Sequence, residues 1–168
     1  MSQDLSPEEL RNHSEWVSSN GASGKQLVKK NADLTGTDLT GRTLVKAILP
    51  DVRLDRATLV GTDLTGADLR GANLEGTDAD GARFIGANLR DANLCDTSLQ
   101  GAQLDGADLS HANAVGAQCS GASFVEADLT DADFSEADLD GANLTDARQS
   151  GLNVSGAETS DTRGLTRR

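Results

Sequence analysis

The sequence predicts an all-β solenoid preceded by a short N-terminal helix. Three observations support this prediction. From Ala32 to Ala157 the chain repeats in steps of five residues without a slip in register. The central residue of a five-residue unit is Leu in 17 of 25 units and Phe in three, and the residue two positions earlier is Ala in 18. Gly stands two positions after the centre in 15 units.

A period of five residues fits neither an α-helix nor a continuous strand. On a helix, successive centres would rotate by about 140° and cover the whole surface. On a strand, an odd period would send successive centres to opposite faces. The chain can keep its Ala and Leu side chains inward only if it turns a corner every five residues, and Gly after the centre favours such a corner. A chain that turns at fixed intervals winds into a solenoid with Leu stacked on Leu.

The segment before the repeat predicts a capping helix. Ser6, Pro7 and Glu9 have the spacing of a capping box with Pro in the first turn, and Asn20-Gly21 is typical of a helix end. Because a solenoid leaves its first coil open, we expect this helix to cover that coil and to bury Trp16 substantially. We therefore divide the chain into a capping helix with its lead-in (1–31), the repeat solenoid (32–158) and a polar tail (159–168).

The far end of the repeat predicts an uncovered last coil. Gln149 replaces a central Leu there, and Leu165 is the only large apolar residue that follows Val154. That end is predicted either to face solvent or to stack on a second molecule. We therefore expect a monomer or an end-to-end dimer.

Composition excludes several classes of protein. The chain has 27 acidic and 15 basic residues among 168, a formal net charge of −12. This charge has the wrong sign for a protein that binds nucleic acid by neutralising phosphates. No segment approaches the roughly 20 apolar residues of a membrane span. The first residues lack the basic start and apolar run of a secretory signal, so we expect a cytoplasmic protein that binds neither nucleic acid nor membrane.

No residue pattern indicates catalysis, a metal or a cofactor. Cys119 is a central, inward residue and Cys95 an outward one on another side, so a disulfide is not expected. His13 and His111 are the only histidines, one on the predicted helix and one at a corner of the repeat, so they cannot form a multi-His metal site. The sequence contains no G-x-S-x-G motif, no phosphate loop and no calcium-binding nonapeptide spacing. Since a convex rod offers no water-excluding cleft, we predict a protein that is not an enzyme and holds no cofactor or metal.

Units such as ADLTG, ADLRG and ANLEG resemble those of the pentapeptide-repeat family, written A(D/N)LXX. The resemblance covers residues 32–158. It implies a right-handed quadrilateral β-helix with four five-residue sides per coil. On that basis the repeat forms about six coils, a rod about 30 Å long.

Four sides per coil place every fourth unit on the same side of the rod. One side, which we call the acid-only face, has its centres at 39, 59, 79, 99, 119 and 139 and contains no Lys or Arg. We predict that this face binds a partner. Its candidate binding residues are Asp38, Asp78, Asp80, Asp138, Asp140 and Glu158.

Two functional hypotheses and one simpler explanation follow. The first hypothesis is a rigid acidic scaffold that binds a protein partner. The second is implied by the resemblance: a DNA mimic that binds DNA gyrase or another type II topoisomerase, as an inhibitor or in quinolone-type protection. The ending SDTRGLTRR departs from that subgroup, because its members typically dimerise through an apolar C-terminal helix. The simpler explanation is that the acids only keep a β-rod soluble and unassociated.

Overall fold

The computed structural model describes residues 5–166, which form one helix followed by a rod of stacked coils. Helix α1 spans Pro7–Ser18. The predicted capping box closes it at the N-terminus: the Glu9 N–H donates to Ser6 Oγ at 3.2 Å, and the Ser6 N–H donates to the Glu9 carboxylate at 2.9 Å. These bonds satisfy donors that the first helical turn leaves free.

The rod is a right-handed quadrilateral β-helix, as predicted. Parallel bridges join residues 20 apart, from Val28 with Ile48 to Asn143 with Arg163. Each five-residue unit contributes one residue to the ladder, at the position just before its centre. Strands are therefore single bridged residues, and four sides complete a coil. The ladder begins before residue 32 and continues past residue 158.

Three backbone hydrogen bonds recur along the rod, and from Ile48 onward the residue before the centre adds a fourth to the preceding coil, as the Arg53 N–H does to Ala32 O at 2.9 Å. In the first coil the Leu34 N–H donates to Arg53 O at 2.8 Å and the Gly36 N–H to Asp55 O at 3.0 Å, so centre and corner both bond to the coil above. The Thr37 N–H closes the corner by donating to Leu34 O at 3.0 Å. Gly36 has a φ of 66°, as the third residue of a type II turn requires. Because these bonds repeat from side to side along the rod, a buried centre and a positive-φ corner residue are needed once in every five residues.

The core consists of the central side chains and the small residues beside them. Every centre from Leu34 to Leu144 is at most 2% exposed. Cys119 occupies one of these positions, and burial raises the pKa of its thiol to about 12. Three of the four Thr residues that replace the inward Ala are buried, and their hydroxyls donate to carbonyls of the preceding coil: Thr62 to Leu39 O at 2.7 Å, Thr77 to Leu54 O at 2.7 Å and Thr97 to Leu74 O at 2.8 Å. The buried hydroxyls at this position are therefore paired.

The two ends are closed differently. Helix α1 lies over the first coil and completely buries His13, whose Nδ1 accepts the Leu27 N–H at 3.0 Å. Trp16 is only partly buried and stacks on His13 with ring centroids 5.8 Å apart. At the other end the Gln149 amide donates to Gly164 O at 2.7 Å and accepts the Thr166 N–H at 2.9 Å. The residue that interrupts the Leu series therefore holds the tail in place.

Candidate functional site

The 20-residue register brings the six predicted acids to one side of the rod. Bridges link residues 38, 58, 78, 98, 118, 138 and 158 into one column, which contains Asp38, Asp78, Asp138 and Glu158. Asp80 and Asp140 lie two residues after Asp78 and Asp138 in the same units. At about 4.8 Å per coil, Asp78 and Asp138 are about 14 Å apart along the axis. The acids therefore form a spaced column and not a compact cluster.

Hydrogen bonds hold several of these carboxylates in fixed positions. Asp80 accepts the Ser98 hydroxyl and, at 3.1 Å, the Gln100 N–H from the next coil. Asp138 accepts the Asp140 N–H at 2.9 Å and the Ser120 hydroxyl. Both are half-buried, whereas the other four acids of the face are exposed. The negative charges are thus part of a rigid surface.

The negative potential of the acid-only face is weakest near Asp38, in the first coil. The Thr40 side chain and amide hydrogen-bond to its carboxylate and lower its pKa, and the nearby charge of Arg42 lowers it slightly further. Asp38 is therefore ionised at neutral pH. Arg42 belongs to the next side but is close enough to dilute the negative potential at the first coil.

The acid-only face ends in a corner that carries no side chain. Elsewhere corners accept residues such as Lys46, Asp51 and Arg56 at positive φ. At this corner Gly stands in six successive coils, with φ from 61° to 65°. A Cβ built on five of these glycines would contact nothing within 4 Å. We call this the glycine edge; its members are Gly41, Gly61, Gly81, Gly101, Gly121 and Gly141.

The glycine edge was not predicted, although the sequence contains its signal. Gly stands at 15 of the 25 corners, and six of these glycines are the successive residues of this one edge. An edge without side chains lets another surface approach the rod's backbone closely.

The side centred on Leu49, Leu69, Leu89, Leu109 and Leu129 provides a contrast, and we call it the ion-paired face. Three of its acids lie beside arginines: Arg70 is 2.6 Å from Asp68, Arg90 is 3.4 Å from Asp91, and Arg148 is 3.0 Å from Asp128. The hydrogen bond from Arg70 lowers the pKa of Asp68. On this face the field of these carboxylates is locally compensated.

Charge also varies along the rod. Residues 1–90 contain 13 acids and 11 bases, whereas residues 91–147 contain 12 acids and no Lys or Arg. Asp138 and Asp140 of the acid-only face lie within this segment without Lys or Arg, so no base close to them in sequence offsets their charge.

Residues 5–166 include no group of three or more His, Cys, Asp or Glu placed to hold a metal ion. Both cysteines are free, and burial raises the pKa of the half-buried Cys95 thiol. Within the same range, no helix has the length and apolar character needed to cross a membrane.

Comparisons with solved structures find several pentapeptide repeat proteins among the similar chains. A pentapeptide repeat protein from the Arabidopsis thaliana thylakoid lumen is 31% identical over 62% of this chain and 66% of its own, with a TM-score of 0.46. This chain therefore spans just under two thirds of that protein. QnrB1, a plasmid-mediated fluoroquinolone resistance protein, is 20% identical over 80% of this chain and 83% of its own, with a TM-score of 0.40. HetL is a pentapeptide repeat protein involved in heterocyst differentiation regulation from the cyanobacterium Nostoc. It is 24% identical over 89% of this chain and 92% of its own, with a TM-score of 0.24.

No curated protein matches the sequence. The model of the pentapeptide repeats, however, matches this chain in eight copies. The matched segments are 32–71, 47–86, 80–113, 102–141 and 112–151, which together span most of the rod. The chain belongs to the pentapeptide-repeat family.

Proposed function

We propose that the chain is a rigid, non-enzymatic rod that binds a cationic surface of a protein partner through its acid-only face. One observation carries this proposal: six acids lie on a single side that contains no Lys or Arg and is bordered by the glycine edge. The other long border carries Arg56 near the start of the rod but no base beyond it.

The physical basis of binding is a fixed, uncompensated negative potential. Asp80 and Asp138 are held by hydrogen bonds from the neighbouring coil, so little side-chain ordering is needed when a partner binds. A one-signed field steers a cationic partner toward the face and weakens as salt rises. The glycine edge lets that partner come close to the backbone.

The non-enzymatic part of the proposal rests on the shape of the face. Its carboxylates lie on the outside of a rod, exposed or half-buried. Such a surface lacks the enclosed, water-excluding environment that shifts one carboxyl against another for acid-base catalysis. Recognition by charge and shape needs no such environment.

A matched pair of glycine substitutions tests this surface. Gly101, on the glycine edge, and Gly106, one corner later, have φ of 63° and 64°, and a Cβ at either would meet nothing within 4 Å. Lys46 shows that a corner of this rod accepts Lys. Gly101→Lys and Gly106→Lys should therefore be equally strained, while only the first adds a cation and a long side chain to the binding face.

The three proteins are used as baits in extracts of the source cells. We expect a partner that is retained by the native chain and by Gly106→Lys and is lost from Gly101→Lys. If every protein captured by the native chain is captured equally by both variants, the acid-only face is not the binding surface.

A second candidate partner is DNA gyrase or another type II topoisomerase, bound in place of DNA. Its support is linear charge density: residues 32–158 carry 22 acids and 8 bases. Spread over about 30 Å of rod, this is about one net negative charge per 2 Å, close to about one per 1.7 Å in duplex DNA. A supercoiling assay with purified gyrase, with and without a quinolone, tests it. We expect inhibition or protection at micromolar rod, and no effect under either condition contradicts this candidate.

A further inference from the structure

A groove separates helix α1 from the first coil on one side of the cap. The helix lines it with Leu10, Arg11 and Ser14, and the coil lines it with Gly41, Arg42 and Thr43; the cavity measures about 460 Å³. This volume lies within the range typical of small-molecule sites. The groove shares Gly41 with the start of the glycine edge, but none of its lining residues belongs to the column of acids.

Arg42 departs from the repeat at this groove. It stands two residues before a centre, a position held by Ala in 18 units and by Thr in four, and it is the only charged residue among the 25. No full coil precedes the first one, so a long side chain can leave the interior here. Arg42 is exposed and lines the groove. A departure from the pattern that the fold otherwise enforces is expected at sites under functional constraint.

Neither arginine of the groove has a carboxylate partner among the residues described. Six other Lys and Arg side chains form ion pairs within 4.0 Å, but Arg11 and Arg42 form none. Asp38 is the acid whose charge Arg42 influences, from beyond that distance. Two guanidinium groups that share a groove repel each other unless an anion lies between them. The hydroxyls of Ser14 and Thr43, which also line the groove, donate to no described residue.

We propose that this groove binds the phosphate group of a small organic phosphate. Each guanidinium offers five N–H donors in a planar fork that matches phosphate oxygens, and the two hydroxyls add further donors. One arginine would suffice for a carboxylate, whereas two suit a dianion with more acceptor oxygens. Pro7 and Leu10 give the groove an apolar wall for the organic part of the ligand. This proposal does not depend on the function proposed for the acid-only face.

Titration of the ¹⁵N-labelled full chain tests the site, with phenyl phosphate and inorganic phosphate as probes at constant ionic strength. We expect saturable amide shifts at Arg11, Ser14, Gly41, Arg42 and Thr43. Tighter binding of phenyl phosphate would show that the organic part contributes, and equal binding would identify the phosphate group alone as the ligand. Because the rest of the chain is strongly acidic, non-specific phosphate binding elsewhere is disfavoured.

Arg42→Ala is the informative variant, because Ala is the usual residue at that repeat position and the fold is therefore expected to persist. It should weaken binding of both probes about tenfold or more. Arg163→Ala is the control: it removes one exposed arginine that has no ion pair among the described residues and lies at the opposite end of the rod. Absence of saturable shifts in the native chain, or equal weakening by the two variants, would overturn the proposal.

Discussion

The acid-only face and the ion-paired face have the same backbone but differ in whether their acids are paired with bases. Leu99 on the first and Leu89 on the second donate the same bond to the coil above, each at 2.7 Å. Both centres are completely buried. Outside, arginines compensate Asp68 and Asp128 on one face, while Asp78 and Asp140 on the other have no cation within 4.0 Å among the described residues. The repeat determines which residues point outward and leaves their charge free to vary.

The ion pairs of the ion-paired face contribute little to the stability of the fold. Exposed pairs between Arg and Asp typically contribute about 0–1 kcal/mol. A face can therefore lose all its bases with little effect on the fold. What changes is the potential that a partner meets.

The largest expected effect comes from disturbing the interior that both faces share. Leu89→Asp should reduce the free energy of unfolding by at least about 4 kcal/mol, because it buries a carboxylate without a partner. Asp78→Leu, at an exposed position, should change it by less than about 1 kcal/mol. Urea denaturation monitored by circular dichroism measures both. Equal losses would show that the inward and outward positions are wrongly assigned.

The next effect separates the two faces by their binding. Asp78→Asn/Asp138→Asn/Asp140→Asn removes three charges from the acid-only face. The affinity for a cationic partner should fall about tenfold or more at low salt. Asn should be tolerated, since Asn73, Asn88 and Asn93 already occupy outward positions before a centre.

The matched control removes three charges from the ion-paired face, with Asp68→Asn/Asp108→Asn/Asp128→Asn. It should weaken binding by about twofold or less, because two of these acids are already paired with arginine. Titration calorimetry at two salt concentrations compares the triple variants. Equal losses would mean that net charge matters and neither face is special.

A smaller effect is expected at the N-terminal cap, whose stability should depend on pH. Burial lowers the pKa of His13 below its ordinary 6.5, so the unfolded chain takes up this proton more readily. The stability of the cap should be complete above about pH 6.5 and should fall as pH drops toward the lowered folded pKa. Carboxylates remain mostly ionised in this window. Fluorescence of Trp16, which stacks on His13, measures the change.

His13→Asn provides the control for the cap. Its amide oxygen can accept the Leu27 N–H in place of Nδ1 but does not titrate, and His111 is retained. The fluorescence of this variant should not change across the same pH range. If it changes as in the native chain, His13 is not the group responsible.

The smallest effect on stability should come from Arg70→Ala/Arg90→Ala/Arg148→Ala, which converts the ion-paired face into a second face without bases. The melting temperature should change by only a few degrees, since each exposed pair contributes about 0–1 kcal/mol. Binding of the cationic partner should strengthen, because the compensating charges are gone. A lower affinity would indicate that the arginines themselves contact the partner.

The sequence by itself determined the solenoid, the inward and outward positions and the capping box. Each follows from local rules: an unbroken five-residue period permits one regular way to bury Leu and Ala, and Ser6 and Glu9 are only three residues apart. The acidic face was also predictable once four sides per coil were assumed, because its residues recur at a fixed interval of 20.

Only the tertiary structure decided what the ends of the rod do. His13 is completely buried although Trp16 is larger and more apolar, because packing of α1 on the coil places His13 beside the Leu27 amide. Gln149 ties down residues 164 and 166, and Arg42 joins Arg11 in a groove. At the ends there is no neighbouring coil to impose the repeat, so contacts between residues far apart in sequence determine each side chain's environment.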